Sequence, residues 1–245
     1  MSIDQVIALS ASIGGCMSAI AAFLAVKQST KQREASYKPE LAITRTTITA
    51  SKNPITKSTF ADFWVVGKEE KEPGNVNLLS SLSLPLRNVG LGAAKEVRLK
   101  WSFPIEELIS NINKMAQKAL ITEYFECENE VLSLKSEQLV AATSMWGNQK
   151  QDTVDYVLPA STDREVVNIR VPPAYIELVS ALLYFSAKEK DRHFFPDMPV
   201  LKLDLEYFDI GGDIHKSSFK VELNLIAIHG DGECFHGYMQ SKKFA

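Results

Sequence analysis

Residues 76–103 read VNLLSSLSLPLRNVGLGAAKEVRLKWSF. Before the centre of this stretch, Leu78, Leu82, Leu84 and Leu86 alternate with polar or small residues. After it, Val97, Leu99, Trp101 and Phe103 alternate with Lys, Arg and Ser. A period of two is the mark of a strand with one buried face. Between the runs, Asn88 and the glycines at 90 and 92 supply residue types that tolerate left-handed backbone. The stretch therefore predicts a strand–turn–strand unit of an antiparallel sheet.

The same rhythm recurs outward. Residues 41–49 and 60–66 are rich in β-branched or aromatic residues and read as strands, as do 131–135, 152–158 and 165–171. Residues 200–207 and 217–228 read as the arms of a long hairpin around Asp209, Gly211, Gly212 and Asp213. Two segments switch to helical spacing. Pro104 opens one at 104–119, with apolar residues at 105, 108, 109, 112, 115 and 116; Pro172 and Pro173 open another at about 174–187. The charged runs 67–74 and 188–192 read as surface loops, and the histidines at 193 and 215 as surface residues. Eight to ten short strands, two helices and no βαβ rhythm predict a mainly β antiparallel sandwich with helices in its connections.

The chain has 245 residues, 27 Lys+Arg and 30 Asp+Glu, and 45% apolar residues, values of an ordinary folded protein. A net charge of -3 supplies no basic excess and gives no support for nucleic acid as a partner. That average hides an asymmetry. Residues 6–26 contain no charged side chain over 21 positions, and only Asp4 is charged before residue 27. As a helix this run covers about 30 Å, the thickness of the hydrocarbon core. It predicts a transmembrane helix at 1–26, a basic juxtamembrane linker at 27–39, a β domain at 40–228 and a C-terminal tail at 229–245. A buried core helix is the competing reading of the run.

Lys27, Lys31 and Arg33 follow the span, while Asp4 precedes it. The preference for Lys and Arg on the cytoplasmic side predicts an outer N-terminus and a cytoplasmic main domain. Three cysteines without paired spacing suit a reducing compartment. Ser10, Gly14 and Ser18 form a small-residue run on the span, and Gly15, Ala19 and Ala22 belong to a second stripe. Small residues let helices approach closely in lipid, so these positions are candidates for helix association.

Asn88-Val-Gly90-Leu-Gly92-Ala-Ala94-Lys-Glu-Val97 and Tyr207-Phe-Asp209-Ile-Gly211-Gly212 resemble turn motifs of uncharacterised bacterial membrane-anchored proteins. In those proteins a single span precedes a cytoplasmic immunoglobulin-like β-sandwich. The resemblance implies a fold and a bacterial inner-membrane setting, and no activity.

No nucleophile elbow, phosphate loop or zinc-protease signature is present in the sequence. The one dense cluster of metal-ligand types is His229, Asp231, Glu233, Cys234 and His236. Its two interspersed glycines and spacing match no standard site. Cys127, between two glutamates, is expected to have a raised pKa. Trp64 and Trp101 fall on inward positions, whereas Trp146 is the candidate exposed aromatic. The expected function is that of a membrane-anchored protein-interaction module without cofactor or enzymatic activity. The alternatives are a membrane effector whose span oligomerises to perturb the bilayer, and a metal-dependent enzyme using residues 229–236.

Overall fold

The computed structural model describes residues 2–53, 59–67, 82–136, 140–188, 196–229 and 232–244, with side chains left aside at 6, 9, 35, 36 and 140–142. The chain is mainly β, and all its named strand pairings are antiparallel.

Helix α1 runs Ile3–Tyr37. It is long and apolar enough to cross a membrane, and none of its apolar window is buried against the rest of the chain. It is thus not a core helix of this domain. It continues unbroken through the basic residues Lys27, Lys31 and Arg33 and stops before Pro39, whose ring disfavours helix at the residue before it.

Strands β1 (Leu41–Ile43) and β2 (Thr46–Ser51) arise from what reads as one strand, broken at Thr44–Arg45 because its halves serve different sheets. β3 (Phe63–Val66) and β4 (Ser83–Asn88) follow, then β5 (Ala94–Ser102), α2 (Ile105–Lys118), β6 (Tyr124–Glu128), β7 (Val131–Lys135) and β8 (Val140–Met145). The short α3 (Trp146–Gln149) leads to β9 (Gln151–Val157), β10 (Val167–Arg170), α4 (Pro173–Lys188), β11 (Leu201–Phe208), β12 (Ile214–His229) and β13 (Cys234–Phe244). The strands form three sheets, ordered β1-β4-β10, β3-β2-β13-β12-β11-β5-β9 and β6-β7-β8; the second is curled as a half-barrel. The charged run at 68–74, the first part of the expected strand at 76–81, and 189–193 with its histidine lie outside the described residues.

Both helices expected from proline starts and 3.6-residue spacing are present. α4 is buried nearly all round, with eleven of its sixteen residues inaccessible, so it is a core element. Ser180 in α4 accepts a hydrogen bond from Trp64 Nε1 at 2.9 Å and donates to the Ala61 carbonyl at 2.8 Å. Phe60 packs edge-on against Tyr184 and Phe185 at 5.5 and 5.7 Å between ring centres. The resulting core is continuous across sheets and helices.

Three expectations need correction. First, β4 and β5 do not pair: β4 lies in the first sheet and β5 in the second. The turn between them carries the chain from one sheet to the other, and its glycines lie against the end of α1. Second, residues 234–244, read as a tail, form β13 inside the large sheet, paired on both sides. Phe235 and Met239 are buried there. Pairing satisfies the backbone of a segment whose composition looks polar. Third, Trp146 is not an exposed aromatic. It is buried, with Phe103 edge-on at 4.7 Å. Trp64 and Trp101 lie in the core as expected.

Candidate functional site at the helix–domain junction

Asn88 is the last residue of β4 and is buried. Its Oδ1 accepts hydrogen bonds from the backbone N–H groups of Glu40 and Gly90, both at 3.0 Å. Its Nδ2 donates to the Gly92 carbonyl at 2.6 Å and to the Val157 carbonyl at 3.0 Å. One side chain thus ties the end of β4, the corner turn, the entry to β1 and the end of β9. No other residue type offers two donors and an acceptor on so short a stem.

The glycines of the turn are needed for close approach. A Cβ at Gly92 would collide with the Tyr37 carbonyl, and one at Gly90 with the backbone of Lys38–Glu40. The last turn of α1 therefore presses directly on the corner. The motif legible in the sequence as turn chemistry is the clamp that fixes the helix exit on the β domain.

The second motif meets the first. In the β11–β12 turn, Asp209 is buried, and its Oδ1 accepts from the Asp213 N–H at 2.9 Å. Its Oδ2 lies 3.0 Å from His215 Nε2. Burial alone pushes the Asp209 carboxyl up. The hydrogen bonds from His215, Asp213 and Gly211 with the His215 charge outweigh it and hold the carboxyl below its ordinary value. His215 stacks on Tyr207 at 5.6 Å and is not a free surface residue. A cleft of about 330 Å³ joins the two motifs, lined among others by Lys38, Leu91, Tyr207, His215 and Lys216. Sequence reasoning found both motifs but not their meeting, which spans more than a hundred residues of chain.

The 229–236 cluster is partly assembled. His229 pairs across the β12–β13 hairpin with Cys234, and the His229 and His236 rings stand edge-on at 5.6 Å. Other partners engage two of its members: Glu233 pairs with Lys52 at 2.7 Å, and His236 Nδ1 also lies 3.0 Å from Thr49 Oγ1. Burial raises the Cys234 thiol, which disfavours a thiolate ligand. Asp231 lies outside the described residues. Among the described residues, no three His, Cys, Asp or Glu side chains are grouped to hold a metal ion.

The Cys127 thiol is also raised, first by burial. The glutamates that add to it are Glu106 and Glu130, brought near by the fold, and Lys150 opposes them. On α4, the half-buried Glu177 is pushed up to about 7, chiefly by burial; its contact with Thr143 opposes the rise and the Asp62 charge adds to it.

On α1, Ser10, Gly14, Gly15, Ser18, Ala19 and Ala22 are all exposed, and a Cβ at either glycine would meet nothing. Lys27, Lys31 and Arg33 are likewise exposed on the same helix. The chain matches no family model, no curated protein and no solved structure.

Proposed function

We propose that this chain is a single-pass, membrane-anchored protein-interaction module whose β domain is held rigidly at the helix exit. The observation that carries the reading is the junction. A helix whose apolar window is not buried by the rest of the chain ends against Gly90 and Gly92, with Asn88 locking the corner. A rigid mount of this kind suits an adaptor, sensor or accessory subunit that must present one surface at a fixed height. The β domain is read as a variant of the immunoglobulin-like sandwich in which a corner turn joins two antiparallel layers. Lys27, Lys31 and Arg33 orient it to the cytoplasm of a bacterial inner membrane. The mildly acidic remainder, 24 basic against 28 acidic residues over 35–245, favours protein over nucleic acid as the partner. No cofactor or catalytic role is assigned.

Alkaline extraction of membranes tests the anchor: the full chain stays in the pellet, and a chain released into the supernatant sinks the reading. A reporter after residue 245 that is active only in the periplasm overturns the orientation.

The exposed small residues of α1 support a second reading, an effector whose helices associate in the bilayer. Replacing Gly14 and Gly15 with Leu tests it. Cross-linked oligomers and any growth defect on expression should both fall; if they persist unchanged, the effector reading has no basis.

A further inference from the structure

Among the described residues, eleven large apolar side chains of the β domain stand exposed. Six of them, Val89, Leu91, Tyr156, Leu158, Ile210 and Ile214, lie in the loops and strand ends around the exit of α1. Val89 and Leu91 flank Gly90 in the corner turn that presses on α1, and Leu91 shares the junction cleft with Lys38 and His215. Ile214 pairs with Phe208, Phe208 with Lys95, and Lys95 with Tyr156, so these four form one row across the sheet end. Three strand spacings make that row about 14 Å wide. Soluble surfaces rarely gather apolar side chains in this way unless something covers them.

From this we infer that the collar rests on the headgroup layer of the bilayer that α1 crosses, and that α1 is tilted to bring it there. The inference rests on the span proposed above but not on which way it is threaded. Continuity with α1 selects the occupant, because the face from which a spanning helix emerges is the face turned to the membrane. The geometry then fixes a posture. Residues 27–37 are helical and raise the junction about 16 Å beyond the apolar run. The headgroup layer is only about 5–8 Å thick, so an upright helix would leave the collar about 10 Å clear. A tilt of about 30° lowers the rise to about 14 Å and swings the far side of a 14 Å row down by about 7 Å, closing the gap. Such a tilt is within the range of about 0–40° seen for spanning helices.

The charges beside the collar carry both signs: Lys38, Lys95 and Lys216 stand with Glu96, Asp155 and Asp213. The contact is therefore made by aliphatic and tyrosine side chains at interfacial depth and does not require anionic lipid. The acidic average of the domain does not oppose it.

The test uses the full chain with Cys16, Cys127 and Cys234 replaced by Ser and one cysteine added at the end of the row far from the exit of α1, Tyr156→Cys, carrying a polarity-sensitive fluorophore. In phosphatidylcholine nanodiscs, headgroup spin-labelled lipid should quench this probe at least twofold. A probe at Ile226→Cys, about 40 Å further along β12, should be unaffected. Inserting seven helix-forming residues between Gln32 and Arg33 lifts the collar by about 10 Å while nearly keeping its rotational phase, and should abolish quenching. Absence of quenching at 156, equal quenching at 226, or quenching unchanged by the insertion overturns the inference. So does shielding of the probe that grows with the number of chains per disc, which would assign the collar to a second copy. Chains that wash off the discs would instead show that α1 does not span, a failure of the anchor itself.

Discussion

The backbone N–H of Glu40, the residue directly after the proline that follows α1, donates to Asn88 Oδ1 at 3.0 Å across 48 residues of sequence. This contact ties the segment that leaves α1 to the end of β4. Because Asn88 is buried and forms three further hydrogen bonds, its removal leaves several buried partners unsatisfied.

Asn88→Ala should therefore destabilise the β domain by about 3 kcal/mol, which at this size is roughly a 6–12 °C drop in melting temperature. Thermal circular dichroism of the detergent-solubilised full chain measures it. A change below 2 °C would show that water replaces the side chain at no cost.

Gly92→Ala should separate the helix end from the corner, since the added methyl collides with the Tyr37 carbonyl. Limited proteolysis should then cut near residues 37–40 several times faster than in the unaltered chain, while alkaline extraction still leaves the chain in the membrane. Gly67→Ala is a useful control, because nothing lies near its Cβ and only its positive φ of 76° is strained.

Asp209 gives the junction an acid limit. Its folded carboxyl titrates below its unfolded value, so its contribution is complete above about pH 4 and is lost as pH falls through the lower folded value. Asp209→Asn should weaken the domain at pH 7 and flatten the loss of stability below pH 4. Parallel acid-unfolding curves of the two chains would contradict the assignment.

Glu177 acts with the opposite sign. The folded group keeps its proton to about pH 7, whereas the unfolded group ionises near 4.3, so stability declines as pH rises between those values. Glu177→Gln should remove that decline and raise stability at pH 8 by on the order of 2–3 kcal/mol. Denaturant midpoints at pH 5 and pH 8 decide it: a pH 8 to pH 5 difference equal to that of the unaltered chain excludes this role.

Local pattern made much of the fold legible. The helix at Ile105–Lys118 has its apolar residues three and four apart behind a proline, and the β11–β12 hairpin alternates on both arms around a glycine-rich turn. What pattern could not supply was partnership. Residues 83–102 alternate as two hairpin arms would, yet their neighbours are β1 and β10 on one side and β11 and β9 on the other. β13 was illegible because its polar residues mask Phe235 and Met239, and its stability comes from ladders with β2 and β12. Trp146 follows a strand end at a place that reads as exposed, and distant groups that include Phe103 cover it.

By itself the sequence determined a charge-free helix of membrane length, its basic flank, the strand periods and the turn chemistry. Each depends on residues within about twenty positions of one another, where helix rise, alternation and allowed backbone angles act directly. The tertiary structure decided that Asn88, Gly90 and Gly92 grip the chain where α1 ends, that His215, held by Asp209, shares a cleft with Gly90, and that exposed apolar tips lie around the exit. Those outcomes depend on which distant strands pair, and pairing is chosen by burial of the whole core, which no local window contains.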